Sequence, residues 1–415
     1  VSVNLKKPAL VQLIGDLIAE ELTRLRPAES NEWRRRRWLP TDELVPQSKA
    51  TGEATGKTTD SAGNEIVIDS LEWMAIAGRV VQFFQMEESG IEDYLLRKNR
   101  LDEWSEIVQK ARDIASNNIT VTTSGSTGQP KPCRHPWAQL TGEADYFAEL
   151  ISTQNTSVQR VITLVPSHHI YGLLFSVLLP DILDVPVIRG FSAFQQVTGG
   201  SLQPGDLVIG FPEALTQATK LLSHIPNEVT FTTSSGPCPA ETINALYEAG
   251  ASRVIEIYGS SETAGIGYRF SPEQPFLLLP RWQQESINTL QEKHTQQSYE
   301  LPDKLNWLSD KSFIVSERVD SAVVIKGTNV YPSRVMTLIE SHPAVSAAAV
   351  RQKKPAEGKG LKAFVVLKNH SEKITEADLK HWLSEHLLDI EVPTHITFGD
   401  AIPANEIGKQ QDWSL

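Results

Sequence analysis

The chain has 415 residues, 40% of them apolar and 22% charged, enough for two or three packed domains. Its formal net charge of −12 argues against a nucleic-acid backbone or an anionic membrane as main partner. Two cysteines, Cys133 and Cys238, make no disulfide framework or zinc cluster and suit a reducing cytosol. In chain order, Leu10, Val11, Ile14, Leu17, Ile18 and Leu22 recur at helical spacing and predict an amphipathic helix over 8–24. Arg34 to Arg37 follow, between Trp33 and Trp38. In so acidic a chain they read as a solvated loop whose guanidiniums stack on indoles.

Residues 47–65 are polar and read as a mobile linker. Residues 51–58 imitate a Walker loop one residue short, with Thr51 where glycine is needed, and are rejected as a nucleotide site. Ile68-Asp69-Ser70-Leu71-Glu72 then opens a helix carrying Met74, Val80, Val81 and Phe84. Its start reads as a capping box: Asp69 caps the helix and Glu72 reaches back to the cap's N–H. Asp-Ser-Leu at a helix start also resembles the pantetheine attachment site of acyl carrier proteins. The cap alone explains Asp69 and Glu72, so the capping reading is preferred.

Ile119-Thr120-Val121 is a β-branched run that predicts a short strand. Thr122-Thr123-Ser124-Gly125-Ser126-Thr127-Gly128-Gln129-Pro130-Lys131 follows it. Glycines let such a loop curl so that successive N–H groups face an anion. The hydroxyls add donors and Lys131 adds a positive charge, so the loop is a candidate phosphate cradle. Further strands are predicted at 161–165, 207–210, 229–233, 254–257 and 363–367, and helices at 332–339 and 375–388. The apolar run 170–179 is far shorter than the roughly 20 residues that span a bilayer. The N-terminus shows no signal-peptide pattern.

Thr123 to Lys131 resembles the phosphate loop [ST]-[ST]-G-[ST]-T-G-x-P-K of the adenylate-forming superfamily: acyl- and aryl-CoA synthetases, adenylation domains and luciferases. Tyr258-Gly259-Ser260-Ser261-Glu262-Thr263 resembles that family's Y-G-x-T-E segment, and Arg318-Val319-Asp320 its hinge. Pro403 to Lys409 resembles its P-x-x-x-x-G-K, and Gly327 to Pro332 the G-x-N-V-[FY]-P of phenylacetate-CoA-ligase-like members. Several motifs in family order are far more specific than one. The resemblance covers Ile119 to the C-terminus and not the first hundred or so residues.

The resemblance implies an α/β fold: a large adenylate-forming domain, a small mobile α+β C-terminal domain and a helical N-terminal region. Expected bounds are 1–117 for a helical region with a carrier-like alternative reading, 118–319 for the AMP-binding core and 320–415 for the small domain. It implies that Thr123, Ser124, Gly125, Ser126, Thr127, Gly128 and Lys131 cradle phosphates. Tyr258 and Gly259 would border adenine, Ser261 would contact phosphate and Glu262 would bind Mg²⁺. Gly236 is expected at a turn beside the base, although Pro237 and Cys238 make that turn irregular. Asp310 would hold the ribose hydroxyls, although Ser309 replaces a glycine. Arg318 would reach ribose or phosphate, although Glu317 stands where glycine is usual. His169 is expected to line the acid pocket, from the match of 166–172 to P-x-x-H-x-x-G. Lys409 would be the catalytic lysine.

The activity so implied is a cytoplasmic, ATP-dependent carboxylic acid ligase. It forms an acyl-adenylate and passes the acyl group, expected to be aromatic, to the thiol of CoA or of a phosphopantetheine carrier protein. The alternative is a non-catalytic or partner-dependent interaction protein retaining the fold. It is favoured by the unusual N-terminus and the altered Ser309 and Glu317, and opposed by intact Lys131, Glu262 and Lys409. Cys238 is read as a packed thiol because no basic partner is visible nearby.

Overall fold

A computed structural model describes the chain apart from residues 1–4, 27–28, 30–31, 34–35, 48–64, 116, 124–130, 153–156, 223, 302, 319–321, 369–373, 404–411 and 415. Residues 48–64 of the expected linker, Ser124 to Gly128, Val319-Asp320 of the expected hinge, and Gly408-Lys409 therefore lie outside the described residues. Two compact units are present: Val1–Thr123, Pro132–Leu301 and Leu305–Val315 form one, and Ser124–Lys131, Pro302–Lys304 and Ser316–Leu415 the other.

The first unit is built on continuous apolar runs. Strands β5 (Arg160–Thr163), β6 (Val187–Ile188), β7 (Asp206–Gly210), β8 (Thr230–Thr233) and β9 (Arg253–Ser260) pair in parallel. Every residue of β7 and β8 is buried, as a sheet covered on both faces requires. Side chains alternate between the two faces. Leu207, Ile209, Ile255 and Ile257 enter one core, while Ile162, Val208 and Val254 enter the other. The sheet continues through β10 (Ala264–Arg269), β11 (Phe276–Leu278), β16 (Ser312–Arg318) and β15 (Asp303–Ser309), giving nine strands in the order β15-β16-β11-β10-β9-β8-β7-β5-β6. Residues 276–300 supply β11 and a separate three-stranded sheet, β12 (Trp282–Gln284), β13 (Thr289–Glu292) and β14 (Ser298–Glu300). Trp282 is the buried anchor there, its indole N–H donating to Gly265 O at 2.7 Å.

The predicted N-terminal helix is α1 (Lys7–Leu25), with Pro8 in its first turn. The helix opened by Asp69 is α2 (Ser70–Phe84), and the capping box is present: Leu71 N–H and Glu72 N–H each donate to Asp69 Oδ1 at 2.8 Å, and Asp69 N–H donates to Glu72 Oε2 at 2.9 Å. Arg26 adds a second hold on Glu72 through Nε at 2.6 Å. Helix α3 (Leu101–Ala115) completes the region. These helices do not carry a core of their own. Leu13, Ile14, Phe83 and Val108 share one cluster with Leu140 and Phe147 of α4 (Trp137–Ser152) and with the sheet. Of the arginine run, Arg36 lies over Trp38 at 5.3 Å and pairs with Asp42 at 3.3 Å.

The second unit holds the hairpin β17 (Val323–Ile325) and β18 (Thr328–Val330), and the sheet β19 (Val345–Gln352), β20 (Leu361–Leu367) and β21 (His395–Phe398). Pro332 starts the helix Pro332–Ser341. The helix predicted over 375–388 runs only Glu376–Ser384. The apolar spacing persists beyond it because Leu387 and Ile390 still enter the core, but from turns. Lys362 on β20 is fully buried, which its ion pair with Glu357 at 2.6 Å permits.

Candidate functional site

Parallel β-strands present their C-terminal ends at one edge of a sheet, where α/β proteins place ligands. Three candidate segments follow such ends. His169 lies beyond β5, Gly236 beyond β8, and Tyr258 to Glu262 span the end of β9 and its turn into β10. The sheet topology thus brings residues 169, 236 and 258–262 to a common edge.

The first segment folds back tightly. Helix α5 (Ile170–Leu173) starts directly after His169 and continues through a π turn (Leu174–Leu178) into α6 (Leu179–Leu183). A Cβ on Gly172 would stand 1.8 Å from Pro166 O, so only glycine closes the loop. Tyr171 ties the new helix to the end of β8, its hydroxyl 2.7 Å from Thr232 Oγ1. His169 keeps an exposed edge, yet dense protein surrounds it. That desolvation, with the neighbouring His168 imidazole, pushes its pKa down to about 3, so it is neutral near pH 7. The two imidazoles are 4.2 Å apart.

The third segment is a tight hairpin turn. Gly259 is required, because a Cβ would meet Ala264 O at 2.3 Å. Tyr258 is half-buried against Phe276 and Phe313, at 5.8 and 5.7 Å between ring centres. Ser261 is half-buried and the Glu262 carboxylate is exposed. The Ser260 and Thr263 hydroxyls brace the turn at 3.0 Å.

One residue of this site went unread in the sequence. His135, on β4 (Lys131–Pro136), is buried, and its Nε2–H donates to Ser261 O at 2.7 Å. A lone histidine in a strand carries no pattern that could have pointed to it. Burial pushes its pKa from 6.5 to about 4, with Arg281 adding to the fall. Its folded-state pKa lies below the unfolded one. The stability it contributes is therefore full above pH 6.5 and lost as pH falls toward 4. We expect wild-type stability to drop by about 3 kcal/mol more than that of His135→Gln across that window. Urea midpoints at pH 7 and pH 4.5 check this; equal losses in both proteins would refute it.

Gly236 is half-buried in the loop after β8, but the left-handed backbone falls on Ser235, at φ 72°. Cys238, beyond it, is buried, and burial with Glu256 nearby raises its pKa to about 12, as for a packed thiol. Asp310 is exposed in the turn between β15 and β16. Thr123 ends β3 (Asn118–Thr123), Arg318 ends β16, and Lys131 opens β4 with an exposed side chain. No set of three His, Cys, Asp or Glu able to hold a metal is found among the described residues. No helix among them is long and apolar enough to cross a membrane.

His169, the Tyr258-Gly259 turn and the exposed Glu262 carboxylate thus share the ligand-bearing edge of a doubly covered α/β sheet. The family model for AMP-binding enzymes matches residues 79–287, and that for their C-terminal domain residues 337–409. A 4-coumarate–CoA ligase of Halorhodospira halophila is 33% identical, covering 89% of this chain and 96% of that one. A 4-coumarate–CoA ligase of Rhodobacter capsulatus is 32% identical over 90% and 95%. The fold is similar to that of o-succinylbenzoate CoA synthetase from Bacillus subtilis, with TM-score 0.59 at 17% identity over 97% and 91%. The chain belongs to the AMP-binding enzyme family. It is an AMP-forming acid–thiol ligase: it makes an acyl-adenylate from ATP and passes the acyl group to a thiol. The relatives give no support to a non-catalytic protein.

Proposed function

We propose that the acid is an aromatic alkenoic acid of the 4-coumarate type and that the accepting thiol is CoA. The observation that carries this is the pair of relatives above, about one third identical over nearly their full length and both named for that reaction. The runner-up acceptor is a carrier protein's pantetheine, since a more distant relative of Bacillus anthracis, 24% identical over 69% of this chain, is a 3,4-dihydroxybenzoate–[aryl-carrier protein] ligase. Dependence on ATP and free thiols suits a cytoplasmic setting.

In this reading, Thr123 to Gly128 and Lys131 cradle the β- and γ-phosphates, and Tyr258 stacks on adenine beside Gly236 and Gly259. Ser261 contacts phosphate, and His169, held neutral, lines the acid pocket without repelling a cationic group or binding the carboxylate outright. Glu262 fits a Mg²⁺ ligand. It is an exposed carboxylate outside any three-residue metal cluster, and Mg²⁺ prefers one or two carboxylates plus phosphate oxygens. When bound, Mg²⁺ would supply charge neutralisation. Lys409 aligns carboxylate and α-phosphate, and the small domain swings about Arg318-Val319-Asp320 to admit the thiol.

The ribose clamp has two readings. Asp310 follows from the motif match, but it is exposed at a hairpin turn. Asp303, at the start of the same strand, is buried, and it shares its compact unit with Lys131 and Arg318. This favours Asp303. Asp303→Asn should raise the KM for ATP on the order of tenfold or more and Asp310→Asn should not, since a charge-assisted bond exceeds a neutral one by over a kcal/mol. The reverse pattern restores Asp310.

The test of the whole reading is carboxylate-dependent ATP–pyrophosphate exchange with 4-coumarate, benzoate, phenylacetate, octanoate and amino acids, followed by thioester formation with CoA or a pantetheinylated carrier. Exchange is expected with 4-coumarate first and thioester with CoA. Exchange confined to octanoate or an amino acid would overturn the acid; thioester on the carrier alone would overturn the acceptor.

A further inference from the structure

Helix α1 carries a polar stripe on an otherwise buried body. Leu13, Ile14, Leu17 and Ile18 are fully buried, yet Gln12, Asp16 and Glu20 recur every four residues and so share one face. That face does not simply look into solvent. Gln12 Nε2 donates to Asp16 Oδ1 at 2.8 Å, and Asp16 Oδ2 accepts from Ser167 N–H at 2.8 Å and from its hydroxyl. Ser167 opens the histidine loop. One turn further along α1, Glu20 Oε1 stands 4.0 Å from His168 Nε2. Its other oxygen accepts from Arg79 Nε on α2 at 2.8 Å. Arg79 in turn donates through Nη2 to Thr122 Oγ1 at 3.0 Å. Thr122 is the residue before Thr123, where the phosphate-cradle segment begins.

The network is an enclosed one. Arg79 and His168 are buried, and Glu20 is partly so. Burial alone would raise the Glu20 pKa, but His168 and Arg79 hold it below its ordinary value, so it stays ionised. A partly buried carboxylate between a buried guanidinium and a buried imidazole fixes their places more firmly than a surface pair, because those two groups have few alternatives in solvent. Two segments far apart in sequence, at 122 and at 167–169, are thereby referred to one helix.

We propose that Glu20 is a positioning residue: with Asp16 and Arg79 it holds the His168-His169 loop in fixed relation to Thr122 on β3, so that α1 sets the place of the acid pocket. This rests on His169 lining the acid pocket. It gives the N-terminal helix, which no motif covered, a role in substrate alignment. Glu20 itself touches neither substrate nor nucleotide; it acts through His168 and Arg79.

The test uses the full chain in ATP–pyrophosphate exchange, with whichever carboxylate of the panel above gives the highest rate. His169→Ala probes the underlying reading, and Glu20→Ala, Glu20→Gln and Glu20→Asp probe the inference. Glu20→Ala should raise the KM for the acid on the order of tenfold to a hundredfold, the cost of a small misplacement, with the KM for ATP changed far less. Glu20→Gln, which keeps an acceptor for Arg79, should recover most of the loss. A raised acid KM in His169→Ala but not in Glu20→Ala overturns the inference alone. No effect on acid KM in either overturns the pocket reading as well. A loss in Glu20→Ala that falls equally on both substrates and on thermal stability marks a merely structural residue and also overturns it. Histidine side-chain ¹⁵N spectra read the contact without turnover: Glu20→Gln should shift the His168 ring nitrogens, assigned with His168→Gln, and an unmoved signal refutes the contact.

Discussion

Lys409→Ala should lose carboxylate-dependent ATP–pyrophosphate exchange by on the order of 10²–10³ while still binding ATP. The reason is electrostatic. A carboxylate attacking the α-phosphorus must approach a triphosphate of the same sign, so the transition state needs a cation between them. Lys409 follows Gly408 in the one segment that matches the family's terminal lysine motif. The chain just beyond it is anchored: Asp412 pairs with Lys354 at 2.7 Å, and Trp413 is buried against Phe364 at 5.9 Å between ring centres. Lys409→Arg should rescue little, because a planar guanidinium does not replace a compact ammonium at a crowded atom. Calorimetry with ATP separates binding from chemistry. Exchange close to wild type in Lys409→Ala would sink the assignment.

Among the described glycines, Gly172→Ala should be the most damaging substitution. The added Cβ falls 1.8 Å from Pro166 O and 3.2 Å from Ser167 Cα. Both are backbone atoms, so no side chain can rotate away and the loop itself must open. Overpacking of this kind costs about 3 kcal/mol or more. The histidine loop would move with it, because His169 caps the helix that begins at Ile170 and its carbonyl accepts from Leu173 N–H at 2.7 Å. Acid-dependent exchange should therefore fall further than ATP binding. Urea denaturation and the two KM values measure this. An unchanged midpoint would mean that the loop closes differently from the geometry described.

The physical reason for each reading separates what was legible from what was not. Helix α1 was visible because a buried stripe must recur every 3.6 residues. Strands β7, β8 and β9 were visible because a sheet covered on both faces needs uninterrupted apolar runs. The cap at Asp69 was visible because its donors and acceptors lie within four residues. In contrast, the helix Glu376–Ser384 was overrun at its end, since Leu387 and Ile390 bury themselves with helical spacing but without a helix. Strands β11 to β15 were missed, because short, half-exposed strands carry Gln and Glu freely and give no apolar run.

By itself the sequence determined everything that depends on neighbours along the chain: the phosphate-loop composition, the Tyr258-Gly259 turn, the cap of α2 and the family. Only the tertiary structure decided which distant groups meet. Glu143 on α4 finds Arg281 at 2.9 Å and Gly265 N–H at 2.9 Å inside the core. His135 finds the Ser261 carbonyl, and Glu20 stands between Arg79 and His168. Each is an isolated polar residue with no local pattern, and its partner lies tens to more than a hundred residues away. Burial removes water as the alternative partner and makes these pairings obligatory, and burial is a property of the folded chain alone.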